Sequence, residues 1–120
     1  FSSALYARMA ASPDCRRELP FTALIPASAV AQEPLPDGDV TVVVQGIADC
    51  VFREGDGLIL LDYKTDRVED PAELADRYRS QMLLYRQALE PILGLPVREM
   101  LLYSFALGTV VPVKPENVGG

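Results

Sequence analysis

The stretch that most limits the fold is residues 58–64, LILLDYK. Four apolar residues in a row are too greasy for a surface strand, so this strand belongs inside the protein. Yet it ends in Asp62 and Lys64, two positions apart and therefore on one side of the strand. A helical pattern follows over 70–93 and a second strand, VREMLLYSF, over 97–105. Strand, helix, strand in that order predicts a crossover joining parallel neighbours. Asp70 can cap the helix, Pro71 suits its first turn, Glu73 has capping-box spacing, and Gly94 ends it.

The other elements are read from turn signals and β-branched runs. Residues 2–12 predict a short helix, ended by Ser12-Pro13-Asp14. A strand over 16–26 carries Pro20, which places it at an edge or bulge. Residues 27–39 are rich in turn formers and predict an exposed loop. Strands are expected at 40–54 and, after Leu107-Gly108, at 109–113, with a loose tail over 114–120. The order α-β-β-β-α-β-β predicts a single α/β domain, residues 1–120, with a mixed sheet flanked by helices.

The turn at 55–57, GDG, sets a register. With Gly55-Asp56 as a two-residue type II′ turn, Val51 lies opposite Leu60, Asp49 opposite Asp62 and Ile47 opposite Lys64. A three-residue loop would shift the pairing by one and separate the charges. In the first register one face, with Cys50, Leu61, Phe52, Ile59, Ala48 and Tyr63, is wholly apolar. The other face gathers Asp49, Asp62 and Lys64. Opposed carboxylates repel, so a half-buried pair needs a cation or a shared proton. Lys64 supplies one positive charge, and a divalent metal could supply the rest. Hard oxygen ligands select Mg²⁺ or Mn²⁺ over zinc. The bland reading of Asp62 and Lys64 is a surface ion pair.

Composition excludes several chemistries. There is no histidine in the 120 residues, which removes Ser-His-Asp and Cys-His catalysis and histidine metal ligands from this chain. The two cysteines, Cys15 and Cys50, form no CxxC, which argues against a zinc or iron–sulfur site and fits a reducing, intracellular setting. The net charge of −6 does not favour a polyanion partner by itself. No signal peptide or membrane-length apolar run is visible. The chain opens without Met, in the middle of a helical pattern, and reads as a fragment of something longer. On the long helix, Leu74, Tyr78, Gln81, Tyr85, Ala88 and Ile92 predict a buried stripe. Gln81 interrupts it, either to bond a neighbouring backbone group or, with Tyr85, to face the carboxylates or a substrate.

GIAD at 46–49, LLDYKTDRV at 60–68 and QMLLY at 81–85, in that order, resemble the motifs of PD-(D/E)XK nucleases. The flanking words, RRELPFT, VQGIADCVF and RYRSQMLLYRQALE among them, are similar to the RecB-like branch found in AddAB- and RecBCD-type helicase-nucleases. The resemblance spans roughly residues 15–108 and implies a restriction-endonuclease-like core. It implies Asp49 and Asp62 as metal ligands with the Tyr63 carbonyl, Lys64 as the catalytic lysine, and Gln81 and Tyr85 lining the DNA path or bracing the site. Arg79 would assist them. It further implies Mg²⁺ or Mn²⁺ as cofactor and DNA, as double-stranded ends or unwound strands, as substrate. Helicase domains of the same parent chain and an AddB-type protein would be partners, in a bacterial cytoplasm. The proline that often precedes the first acidic residue is Ala48 here. The family's upstream histidine ligand has no counterpart, so an isolated fragment would lack one ligand. A non-catalytic module that holds DNA or braces a partner is the alternative. A standalone Cas4-like exonuclease is disfavoured because no cysteine cluster is present.

Overall fold

The computed structural model describes residues 3–26 and 40–115. The loop expected at 27–39 and the end of the expected tail lie outside the described residues. Helix α1 (Ser3–Ala11) is followed by strands β1 (Cys15–Pro26), β2 (Thr41–Glu54) and β3 (Gly57–Lys64). Helix α2 (Pro71–Leu93) and strands β4 (Val97–Ser104) and β5 (Thr109–Pro112) complete the order. The five strands form one sheet in the order β1-β2-β3-β4-β5. Among the described strands only β3 and β4 pair in parallel, joined by α2 as the strand-helix-strand pattern requires. Among the described residues no helix is long and apolar enough to cross a membrane.

Local chemistry accounts for the elements. Gly55 takes φ +64° at the first position of the β2–β3 turn, as a type II′ geometry demands. The resulting ladder sets Cys50 against Leu61, Val51 against Leu60 and Phe52 against Ile59, the register expected from the even loop. At the start of α2, the Asp70 carboxylate accepts the Ala72 N–H at 2.9 Å, and Pro71 occupies the first turn. Glu73 does not complete a capping box; its carboxylate accepts from Arg77 at 3.0 Å instead. Gly94 ends the helix in the left-handed region at φ +74°, its N–H bonded to the Glu90 carbonyl.

The sheet is covered on both faces, and this corrects the expectation of one apolar and one charged face. Val51, Leu58, Leu60, Met100 and Leu102 pack under α2 with Leu74, Met82 and Leu89. Cys50, Phe52, Ile59, Leu61, Leu101 and Tyr103 pack under α1 with Leu5 and Met9. The carboxylate-bearing face is thus a core face with charges at one end, not a polar face. Ala48 does not join Cys50, as strict alternation predicts, but belongs to the α2 side. The reason is a break in alternation. Cys15 meets Cys50 on the α1 side, with sulfurs 3.7 Å apart, whereas Leu19, Phe21 and Ile25 lie on the α2 side. The switch falls at Glu18, whose φ is +50°, and at Asp49 across from it. Pairing on both sides of the break keeps one register, so the fault re-aims side chains without slipping the strands, unlike a bulge, which sets two residues opposite one.

The buried line of α2 is also rotated from expectation. Ala75, Met82 and Leu89 recur at seven-residue intervals and are buried with Leu74 and Ala88. Tyr78, Gln81 and Tyr85 are half-buried along its flank, and Ile92 is 49% exposed. A broad apolar stripe has several possible centres, and the way the helix lies across a twisted sheet chooses one.

Candidate active site

The charged cluster gathers where the β2–β3 ladder stops. Beyond Cys50–Leu61 the Asp49 side chain takes over as acceptor. Its Oδ2 accepts the Tyr63 N–H at 2.9 Å. This is possible because the break at Asp49 takes its side chain out of strict alternation. Asp62 is 6% exposed, and Lys64 Nζ sits 2.7 Å from its Oδ2. Burial, and then the Asp49 carboxyl within hydrogen-bonding reach, push the Asp62 carboxyl up to about 6, while Lys64 pulls the other way. Two acidic groups from adjacent strands therefore crowd one another beside a single ammonium.

Tyr63 contributes backbone. Successive strand residues point their amides to opposite edges, and the Lys64 carbonyl accepts the Phe105 N–H on the β4 side. Tyr63 therefore presents its carbonyl toward β2, the edge where Asp49 stands. Asp49 and Asp62 with this carbonyl could supply the hard oxygen donors that Mg²⁺ or Mn²⁺ takes, and such a cation would relieve the crowding of two carboxylates. Among the described residues no group of three acidic, cysteine or histidine side chains converges, so Asp49 and Asp62 would make up only part of a coordination shell. A cation that keeps several waters and takes up phosphate oxygens fits that partial shell.

Gln81 and Tyr85 stand on the α2 flank. The Tyr85 ring meets Phe21 edge-on at 4.9 Å between centroids. A Cβ at position 46 would lie 2.8 Å from the Tyr85 hydroxyl, so Gly46 is the residue that lets α2 approach β2 this closely. Tyr85 is thus a strut between α2 and the β1–β2 pair. Gln81 is half-buried and makes no side-chain hydrogen bond among the described residues, which leaves its amide open to another partner. Arg79 is directed elsewhere: it binds the Asp76 carboxylate at 2.6 Å and the Lys114 carbonyl at 2.9 Å.

Motif reasoning misses two neighbours of the cluster. The Lys64 ammonium lies 3.9 Å from the Tyr78 ring centroid. The Tyr78 hydroxyl donates to Asp66, with its oxygens at 2.9 and 2.8 Å, and Arg77 binds the same carboxylate at 2.8 Å. The available signal is a tyrosine one turn before Gln81 together with an acid two residues after the lysine.

A buried Asp-x-Lys on a central strand, a second Asp from the adjoining strand and a crossover helix bearing Gln and Tyr are the parts expected of a nuclease core of the PD-(D/E)XK kind. The sequence matches the PD-(D/E)XK nuclease superfamily over residues 4–113, and the chain belongs to that family. Its relatives include an ATP-dependent helicase/nuclease subunit of Desulforamulus reducens, 43% identical over 94% of this chain and 9% of that protein. The protein of the same name from Clostridium botulinum (Loch Maree) is 40% identical over 92% of the chain and 9% of its own length. That from Oceanobacillus iheyensis is 36% identical over 94% of the chain and 10% of its length. The chain thus spans about a tenth of the length of these relatives.

Proposed function

We propose that this chain is the nuclease domain of an ATP-dependent helicase-nuclease of the AddAB/RecBCD type. It hydrolyses DNA phosphodiesters as an exonuclease that processes double-strand breaks for recombination in a bacterial cytoplasm. The observation that carries this reading is the meeting of Asp49, Asp62 and Lys64 at one buried strand end, with Lys64 Nζ 2.7 Å from Asp62. Asp49, Asp62 and the Tyr63 carbonyl would hold Mg²⁺ or Mn²⁺. When bound, that ion polarises phosphate oxygens and makes water acidic enough to attack near neutral pH.

The chain's own residues do the rest. Asp49 and Asp62 would hold the cation against which the phosphate docks. Lys64 has three N–H donors and directs one to Asp62. A remaining donor can orient the attacking water or meet the negative charge that grows on phosphate oxygen. The water oxygen adds to phosphorus as its proton passes to solvent, one flanking P–O bond breaks, and the departing sugar oxygen takes up a proton from solvent. Gln81 offers an uncommitted amide to the DNA backbone, and Tyr85 braces the helix that carries it. The net charge of −6 fits a domain that cuts strands delivered by helicase domains of the parent chain, with an AddB-type protein as partner.

The partial donor set also suits a second reading, in which the domain holds DNA or braces a partner without cutting. One comparison separates them. In the intact parent, Asp62→Ala and Lys64→Ala should each lower Mg²⁺- or Mn²⁺-dependent cleavage by at least about 100-fold, with unwinding retained. Undiminished cleavage in both variants would leave the non-catalytic reading standing.

A further inference from the structure

We propose that Tyr78 is a positioning residue for catalysis: its ring face, anchored through the hydroxyl to Asp66, holds the Lys64 ammonium at the angle from which it serves the phosphate. The inference rests on the nuclease reading above and adds to it a part of the machinery outside the Asp-x-Lys and Gln-x-x-x-Tyr motifs.

The geometry is specific. Lys64 Nζ is 2.7 Å from Asp62 Oδ2 and 3.9 Å from the Tyr78 ring centroid, and its side chain is 14% exposed. The ammonium is therefore held from two directions, one by a carboxylate oxygen and one by a π face. A ring attracts a cation through its quadrupole without adding net negative charge beside a polyanionic substrate. A third carboxylate in the same place would attract the ammonium more strongly but would repel phosphate. Two anchors leave one N–H direction open, and the ring plane limits where that N–H can point.

The ring is itself fixed. Tyr78 sits on α2, while Asp66 lies just past the end of β3, two residues after Lys64. The Tyr78 hydroxyl reaches both oxygens of Asp66, and Arg77 grips the same carboxylate. Electron density pushed into the phenol by an anionic acceptor makes the ring face a better cation partner. Lysine alone, on four flexible bonds, would lose more entropy in reaching the same pose.

The test uses the intact parent protein with phenylalanine, then phenylalanines carrying one to five ring fluorines, at position 78. Fluorination keeps the shape of the ring and progressively cancels its quadrupole. The expected result is a stepwise fall in kcat, about tenfold across the series, with KM for DNA and the unfolding midpoint unchanged. Tyr78→Phe itself should already lower kcat about threefold, because the ring remains but its anchor to Asp66 is gone. A kcat that is flat across the series overturns the proposal, as does a loss confined to KM. Asp62→Ala is run beside it. If Asp62→Ala still cuts, the nuclease reading has failed; if it is dead while the fluorine series is flat, only the role of Tyr78 has failed.

Discussion

At the scale of single residues, the site lowers stability. Asp62 has its carboxyl raised to about 6 from an ordinary value of 3.8. A raised folded value means the native protein keeps a proton that the unfolded chain would release. Its contribution is full below about 3.8 and is lost as pH rises through about 6. At pH 8 without metal the charged carboxylate therefore opposes folding. Asp62→Asn should then raise the unfolding free energy by about 1–3 kcal/mol in EDTA at pH 8, and by much less near pH 4.5. Urea denaturation at the two values checks it, and an equal gain at both would refute the electrostatic cause. Mg²⁺ should erase the advantage at pH 8, because the cation stabilises only the natural residue. The Asp49–Tyr63 bond shows a different use of the same kind of side chain. Asp49 completes the hydrogen bonding of β3 where the ladder ends, so it supports the fold as well as the chemistry proposed for it.

At the scale of elements, the sequence is a good guide to strands and turns and a poorer one to facing. The β2–β3 register is readable because Gly55 with Asp56 permits a two-residue turn, and a two-residue turn allows one pairing. The parallel β3–β4 pair follows from one helix between two apolar strands. The change of side at Glu18 and Asp49 leaves no trace in composition, since a glutamate at φ +50° is held there by its surroundings. The line of contact along α2 is equally hidden, because several stripes on that helix are apolar. Met82→Ala should cost about 2–5 kcal/mol, while Ile92→Ala should change stability by less than about 0.5 kcal/mol. Comparable losses from the two would restore the stripe through Ile92. Tyr78 can be placed on the buried side of α2 from its spacing. Its contact with Lys64 cannot, because that depends on how the helix crosses the strand ends.

At the scale of the whole molecule, the two layers on the sheet are unequal. The α2 side holds the larger apolar cluster and the candidate site, whereas α1 contributes Leu5 and Met9 and is tied at its rim by Arg8. Arg8 grips the Glu54 carboxylate at 2.9 and 2.8 Å and also meets Glu99. The bond to Arg8 holds the Glu54 carboxyl below its ordinary 4.5. That contribution is present above the ordinary value and is lost as pH falls through the lowered one. Corrected for the intrinsic exchange rate, amide protection in α1 should fall in acid before protection in β3 and β4 does; a simultaneous fall in both would show that α1 is not the weaker layer. The sheet end also depends on a short span of chain. Only Thr65 to Asp70 separates Lys64 from the helix carrying Tyr78. One residue added to or taken from that span would ask α2 to advance about 1.5 Å and turn about 100° to stay capped, carrying the aromatic ring off the lysine. This connection is therefore a fixed-length spacer: homologues that cut DNA by this geometry should keep the number of residues between strand and helix.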